Sequence, residues 1–134
     1  MNADERYARV RVRRQLLPLI ESFNPRVVEG LVRTAELLRQ DMAVLDLAAG
    51  RLVELAGEDN NRTLRTDLVA ITPPAIRCRA LRRWIEEGRG DLRRIDRVHI
   101  LAVERLLFGD KGGRVVELPG GARVARIRGL LRFS

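Results

Sequence analysis

Five arginines stand within nine positions near the N-terminus: Arg6, Arg9, Arg11, Arg13 and Arg14. A guanidinium group is planar, always charged and binds phosphate or carboxylate oxygens two at a time, which an ammonium group does less well. On a helix, Arg6, Arg9 and Arg13 are three and four apart and share one face. Val12, Leu16, Ile20 and Phe23 repeat at the same spacing and make a second, apolar face suited to a core. Two further arginine clusters follow, over Arg77 to Arg97 and Arg114 to Arg132. In the middle cluster Arg79, Arg82 and Arg83 are assigned to the outer face of a helix. Arginines in such clusters are often solvated and balanced by acids, but the first two clusters have too few carboxylates on the same face for full balance. The chemistry expected of them is the gripping of a polyanion, with Arg6, Arg9, Arg13, Arg79, Arg82 and Arg83 as the RNA-binding candidates.

Other constellations fit reaction chemistry less well. His99 is the only histidine; it has no cysteine pair for a metal and no nucleophile at triad spacing, so a structural role is expected. Glu86, Glu87, Asp91 and Asp96 could in principle do acid–base work, but they surround an exposed helix end among arginines, where surface ion pairing is expected. Gly112-Gly113 and Gly120-Gly121 are not followed by a helix start carrying Ser, Thr or Lys, so they read as hairpin glycines and not as a phosphate loop. No catalytic, cofactor-binding or metal-binding residue is assigned. Cys78 is the only cysteine, so no disulfide forms within the chain, and it is read as a small core hydrophobe. Aromatic residues are scarce at 4%; Tyr7 and Trp84 are the main candidates for stacking on bases. Shape and charge recognition of folded RNA is therefore favoured over the reading of single-stranded bases.

The 134 residues carry a net charge of +8, and all 26 basic residues but Lys111 are arginine. GC-rich codon usage explains arginine in place of lysine, but not the excess of positive over negative charge. That excess points to nucleic acid. No run of about 18 apolar residues exists, so no membrane span is expected, and no secretory signal is evident; with the single cysteine this suggests a cytoplasmic protein.

The elements that must carry these residues are mostly helical. A first helix spans about 3–23, with Pro18 kinking or splitting it. Asn24-Pro25 caps and restarts a second helix to about Ala56. Its stripe of Val28, Leu31, Ala35, Leu38, Met42, Leu45, Ala49, Leu52 and Ala56 alternates spacings of three and four. Leu64 to Ile71 reads either as a short strand or as a helical turn. Thr72-Pro73-Pro74 opens a third helix to about Glu87, and Asp96 caps a fourth to Phe108. From Gly109 onward β-branched residues alternate with polar ones between glycine turns, giving a three-stranded meander with a type II turn at Pro119-Gly120 and a possible bulge before Ile127. The fold class is mainly α: a bundle of about four helices over residues 1–108 with a small β appendage over 109–134.

Several motifs resemble one family. Asn2, Tyr7, Arg9, Val12, Arg13 and Pro18, then Phe23-Asn24-Pro25-Arg26 and Arg33-Thr34-Ala35-Glu36-Leu37-Leu38, are similar to the segment where bacterial tRNA(Ile)-lysidine synthetases pass from catalytic domain to C-terminal region. Pro74-Ala75-Ile76-Arg77, Arg79, Leu81-Arg82, His99-Ile100, Ala102-Val103 and Leu118-Pro119-Gly120-Gly121 continue the resemblance along nearly the whole chain. Val10 departs from it, since the family usually has Asn there. The resemblance implies the tRNA-holding part of an enzyme that joins lysine to the wobble cytidine of tRNA(Ile) using ATP, with residues 1–23 as the linker from a missing catalytic domain. It implies tRNA(Ile) as partner, ATP and lysine as co-substrates of the full-length enzyme, and Arg9 and Arg13 as contacts. The ATP loop Ser-Gly-Gly-x-Asp-Ser does not occur in this chain. Two other readings remain open: a helical protein-interaction module with solvated arginine faces, and a DNA-binding helix-turn-helix around the third and fourth helices. The oligomeric state is not legible.

Overall fold

A computed structural model describes residues 6–109 and 113–134. The expected helical residues 3–5 and most of the glycine hinge at 109–113 lie outside them. The chain is mainly helical, with a small antiparallel sheet. It divides into two compact units, Met1–Met42 and Ala43–Ser134.

In the first unit, α1 (Ala8–Arg11) runs into a π turn (Val12–Leu16), then α2 (Leu17–Phe23). The π turn is the response to Pro18. A proline ring crowds the carbonyl four residues back and lacks an N–H. The Leu17 N–H bonds back to the Val12 carbonyl, five residues away, and the wider turn places the proline in the first turn of α2 with no broken ladder. The extra residue in that turn changes the helical phase. The apolar face expected from Val12, Leu16, Ile20 and Phe23 is not a core: Val12, Leu16 and Phe23 are exposed, and no residue of these three turns of helix is buried. Asn24 caps as its type suggests, its side-chain oxygen accepting from the Arg26 N–H at 3.0 Å. The following helix, α3 (Val27–Ala56), contains the division between the units. Its stripe is buried only at the C-terminal end, at Ala49 and Ala56 with Leu52 half-buried and Val53 buried beside it, whereas Leu31, Leu38 and Met42 are exposed.

The second unit holds the core. β1 (Gly57–Glu58) and β2 (Thr63–Arg65) follow α3, then α4 (Thr66–Ile71), α5 (Pro74–Arg89), α6 (Arg97–Leu107), β3 (Val115–Glu117), β4 (Arg123–Ile127) and β5 (Leu130–Phe133). The ambiguous stretch from Leu64 is thus both a strand and a helical turn in succession. The strands form one antiparallel sheet in the order β1-β2-β5-β4-β3. Leu64 pairs with Leu131, so the sheet joins residues on both sides of the helix-rich segment. Arg128 and Gly129 both have positive φ, the arrangement of a type I′ hairpin turn. Gly120, at φ 87°, holds the third position of the type II turn closed by the Gly121 N–H to the Leu118 carbonyl.

The core is aliphatic around one indole. Val53, Leu64, Val69, Leu81, Ile85, Val103, Val124 and Leu131 surround Trp84, all at 2% exposure or less. Trp84 donates its Nε1–H to the Asn61 carbonyl at 2.6 Å and meets Phe133 edge-on at 5.9 Å. Fully burying each such aliphatic side chain contributes about 1.5–3 kcal/mol. The β4 strand has an unbroken register with both neighbours and no bulge. Its core-facing alternation runs Val124 then Arg126, not Ile127; the Arg126 guanidinium turns inward to the Leu106 and Gly109 carbonyls at the end of α6. Ile127 ends the strand and stays exposed.

Candidate nucleic-acid interface

The arginines sort into three kinds: those turned inward, those tied to surface acids, and those left facing solvent. Arg77 is of the first kind. Its spacing of four and seven to Leu81 and Trp84 puts it on the buried stripe of α5. Its Nη2 lies 2.7 Å from a Glu104 carboxylate oxygen, and both side chains are more than four-fifths buried. Nη1 donates to the Ala70 and Thr72 carbonyls, and the guanidinium lies over Phe108 at 4.9 Å. Cys78 beside this pair is half-buried and packs on the core. Burial pushes its thiol up from the ordinary value, and the Glu104 carboxylate adds to the rise.

Arg79 and Arg83, one helical turn apart, come together over α3. Arg79 pairs with Asp46 at 3.1 Å and donates to the Ala75 carbonyl. Arg83 pairs with Glu87 at 3.0 Å, and its Nη1 lies so near Gly50 that a Cβ there would come within 2.7 Å. The sequence put Arg79, Arg82 and Arg83 on one outer face; α5 instead turns two of them toward α3. Arg82 stands apart, exposed and without a carboxylate partner among the described residues.

Arg6 is exposed in the turn before α1. Arg9, Arg11, Arg13 and Arg14 are all exposed, and among the described residues none has a carboxylate partner. Arg9 lies over the Tyr7 ring, 5.6 Å from its centroid. At an exposed site that contact contributes about 0.5–1 kcal/mol and holds the arginine on the side of the ring. Trp84, a candidate for stacking on bases, is fully buried and cannot serve. Exposed aromatic rings among the described residues are Tyr7, Phe23 and Phe108.

The remaining sequence candidates have structural work. His99 closes a capping box: its Nδ1 accepts from the Asp96 N–H at 3.0 Å, and the Asp96 side chain caps the start of α6. Glu87, Asp91 and Asp96 hold arginines or backbone N–H groups. Among the described residues no group of His, Cys, Asp and Glu is placed to hold a metal ion, and no helix is long and apolar enough to cross a membrane. The inward arginines were legible in part: Arg77 shares the apolar spacing of α5, and Arg126 occupies a core position in the alternation of β4.

A mainly helical scaffold with a five-stranded antiparallel sheet, its exterior carrying exposed guanidinium groups, defines a small basic α-plus-β module. Residues 64–132 match the TilS substrate binding domain, and the chain belongs to that family, the tRNA(Ile)-lysidine synthases. It is 37% identical to the tRNA(Ile)-lysidine synthase of Salinispora tropica over 97% of its length. The enzymes of that name from Leifsonia xyli and Streptomyces coelicolor are 40% and 39% identical over 98% and 96% of it. The chain spans 39%, 40% and 36% of those three relatives respectively.

Proposed function

We propose that this chain is the tRNA-holding part of a tRNA(Ile)-lysidine synthase. It grips the RNA backbone through arginines and performs no chemistry of its own. The observation that carries the reading is the run of exposed guanidinium groups at Arg9, Arg11, Arg13 and Arg14, none with a carboxylate partner among the described residues, in a chain that matches the substrate binding domain of the family. Counterions condensed on a polyanion are released when such groups meet phosphates, which drives binding at low salt. Arg82, in the second unit, is a further exposed guanidinium without a carboxylate partner among the described residues. Arg79 and Arg83 contribute only by giving up their acids. With Trp84 buried, recognition rests on backbone and shape. The wobble cytidine is presented to an ATP- and lysine-using catalytic domain that this chain does not include, in the cytoplasm.

Filter binding of a refolded tRNA(Ile) transcript to the 134-residue chain tests this. For roughly five phosphate contacts, affinity falls by about a hundredfold or more between about 50 and 200 mM salt. No binding at about 50 mM salt, or binding indifferent to salt, refutes it. Preference for duplex DNA over tRNA would favour the DNA-binding alternative. One observation favours the protein-interaction reading: Leu31, Leu38 and Met42 of the α3 stripe are exposed. That reading expects association of the protein itself, insensitive to salt, visible by light scattering.

A further inference from the structure

We propose that the loop between α5 and α6 is a second phosphate-contact point, made by Arg93, Arg94 and Arg97; this rests on the tRNA-holding reading and adds a site to it. Leu92 and Ile95 are partly buried against the core, and the Ile95 N–H bonds to the Leu92 carbonyl at 3.0 Å. Between these two anchors Arg93 and Arg94 occupy the tip of a tight turn. Arg94 has φ of 60°, in the third position of the turn, where a positive φ ordinarily calls for glycine or asparagine. A long charged side chain held in the left-handed region is a costly choice for a loop, and such outliers concentrate where a side chain must be presented in a fixed direction.

The loop is built to keep its acids away from its arginines. Asp91 accepts the Arg93 N–H at 2.9 Å, and Asp96 caps α6. Arg89, largely buried, donates to the Arg93 carbonyl at 3.2 Å and lies 3.6 Å from Asp91. Its other terminal nitrogen would sit 3.0 Å from a Cβ on Gly120 in the β3–β4 turn. One inward arginine thus holds the loop in place and occupies one of its two carboxylates, while the other is spent on backbone. Arg93, Arg94 and Arg97 are left exposed with no carboxylate partner among the described residues. Three guanidinium groups within five positions on a fixed turn suit successive phosphates of a folded RNA strand.

Salt titrations with the refolded tRNA(Ile) transcript test the site in the 134-residue chain. Arg94→Gly removes one charge and leaves a residue that takes the positive φ freely. It is expected to lower the slope of log affinity against log salt by about 0.7–0.9, with an equal or higher melting temperature. Arg93→Gln/Arg94→Gly/Arg97→Gln is expected to lower the slope by about 2–3. Parent-like slopes in both variants, alongside a reduced slope in Arg9→Gln/Arg13→Gln, overturn the loop site and leave the tRNA-holding reading intact. Failure of the parent chain to bind at about 50 mM salt removes both.

Discussion

The Arg77–Glu104 pair ties three helices together, and cutting it from its two ends should give unequal losses. Arg77 places Nε and Nη2 on one carboxylate oxygen of α6 and Nη1 on two carbonyls at the end of α4. Its side chain is 11% exposed and that of Glu104 14%, so solvent screens little of the interaction. Arg77→Met keeps the apolar stem but strands the carboxylate, and truncating one partner of a buried pair costs about 3–5 kcal/mol. The residual exposure puts the expectation near 3. Glu104→Gln keeps an acceptor for the guanidinium, which retains both carbonyls; exchanging charged for neutral hydrogen bonds costs about 1–2 kcal/mol. The double change Arg77→Met/Glu104→Leu strands no charge, so it should be more stable than Arg77→Met alone. Trp84, the single tryptophan, sits in the same core and reports unfolding by fluorescence. With a urea slope of about 1.5 kcal/mol per molar, Arg77→Met should lower the midpoint by roughly 2 M. A shift under about 0.5 M, or a double variant weaker than Arg77→Met, would refute the account.

Three further outcomes follow from contacts already described. Arg82→Gln should weaken tRNA binding with little change in melting temperature, whereas Arg79→Gln, which loses Asp46, should lower the melting temperature slightly and bind tRNA nearly as well as the parent; equal binding losses would contradict the division. The raised Cys78 thiol should react with a disulfide reagent at pH 8 more slowly than in the urea-unfolded chain, and Glu104→Gln should speed it; because its folded value lies above the unfolded one, its contribution to stability is present below the unfolded value and fades as alkaline pH passes the folded one. Gly57→Ala should destabilise by about 1–3 kcal/mol, since its Cβ would meet the Asn61 side chain and the Val53 carbonyl, while Gly50→Ala meets only the mobile end of Arg83 and should be neutral or stabilising in thermal melts.

Much of this architecture could be read from residue spacing because helices and tight turns are local. Asn24, Asp96, Gly90 and the Pro119-Gly120 turn do in the structure what their types suggest. At two residues β1 is too short to show a pattern, and β2 was legible only as one of two readings of the stretch from Leu64, because its partner β5 lies more than sixty positions away. No periodicity carries that pairing. The phase of the first helical segment was lost at Pro18, where a π turn inserts a residue that a regular spacing does not count. For the candidate interface, sequence located the arginine clusters but not the sign of their surroundings. Whether α5 turns Arg79 and Arg83 toward Asp46 and Gly50 depends on how it lies on α3, which is a tertiary fact. Arg94 carries no signal at all in its type; its positive φ, which Arg128 shares, is visible only in the backbone.

The central strand of the sheet, β5, comes after the other four in chain order. During translation α3, α5 and α6 leave the ribosome with Val53, Leu81 and Val103 ready for a core whose middle does not yet exist. Until Leu131 is delivered, Leu64 is paired only on its β1 side, and the core-facing surfaces of the unit stay within reach of chaperones. A frameshift that altered the codons of β5 would therefore be felt across the whole unit, and not only at its edge.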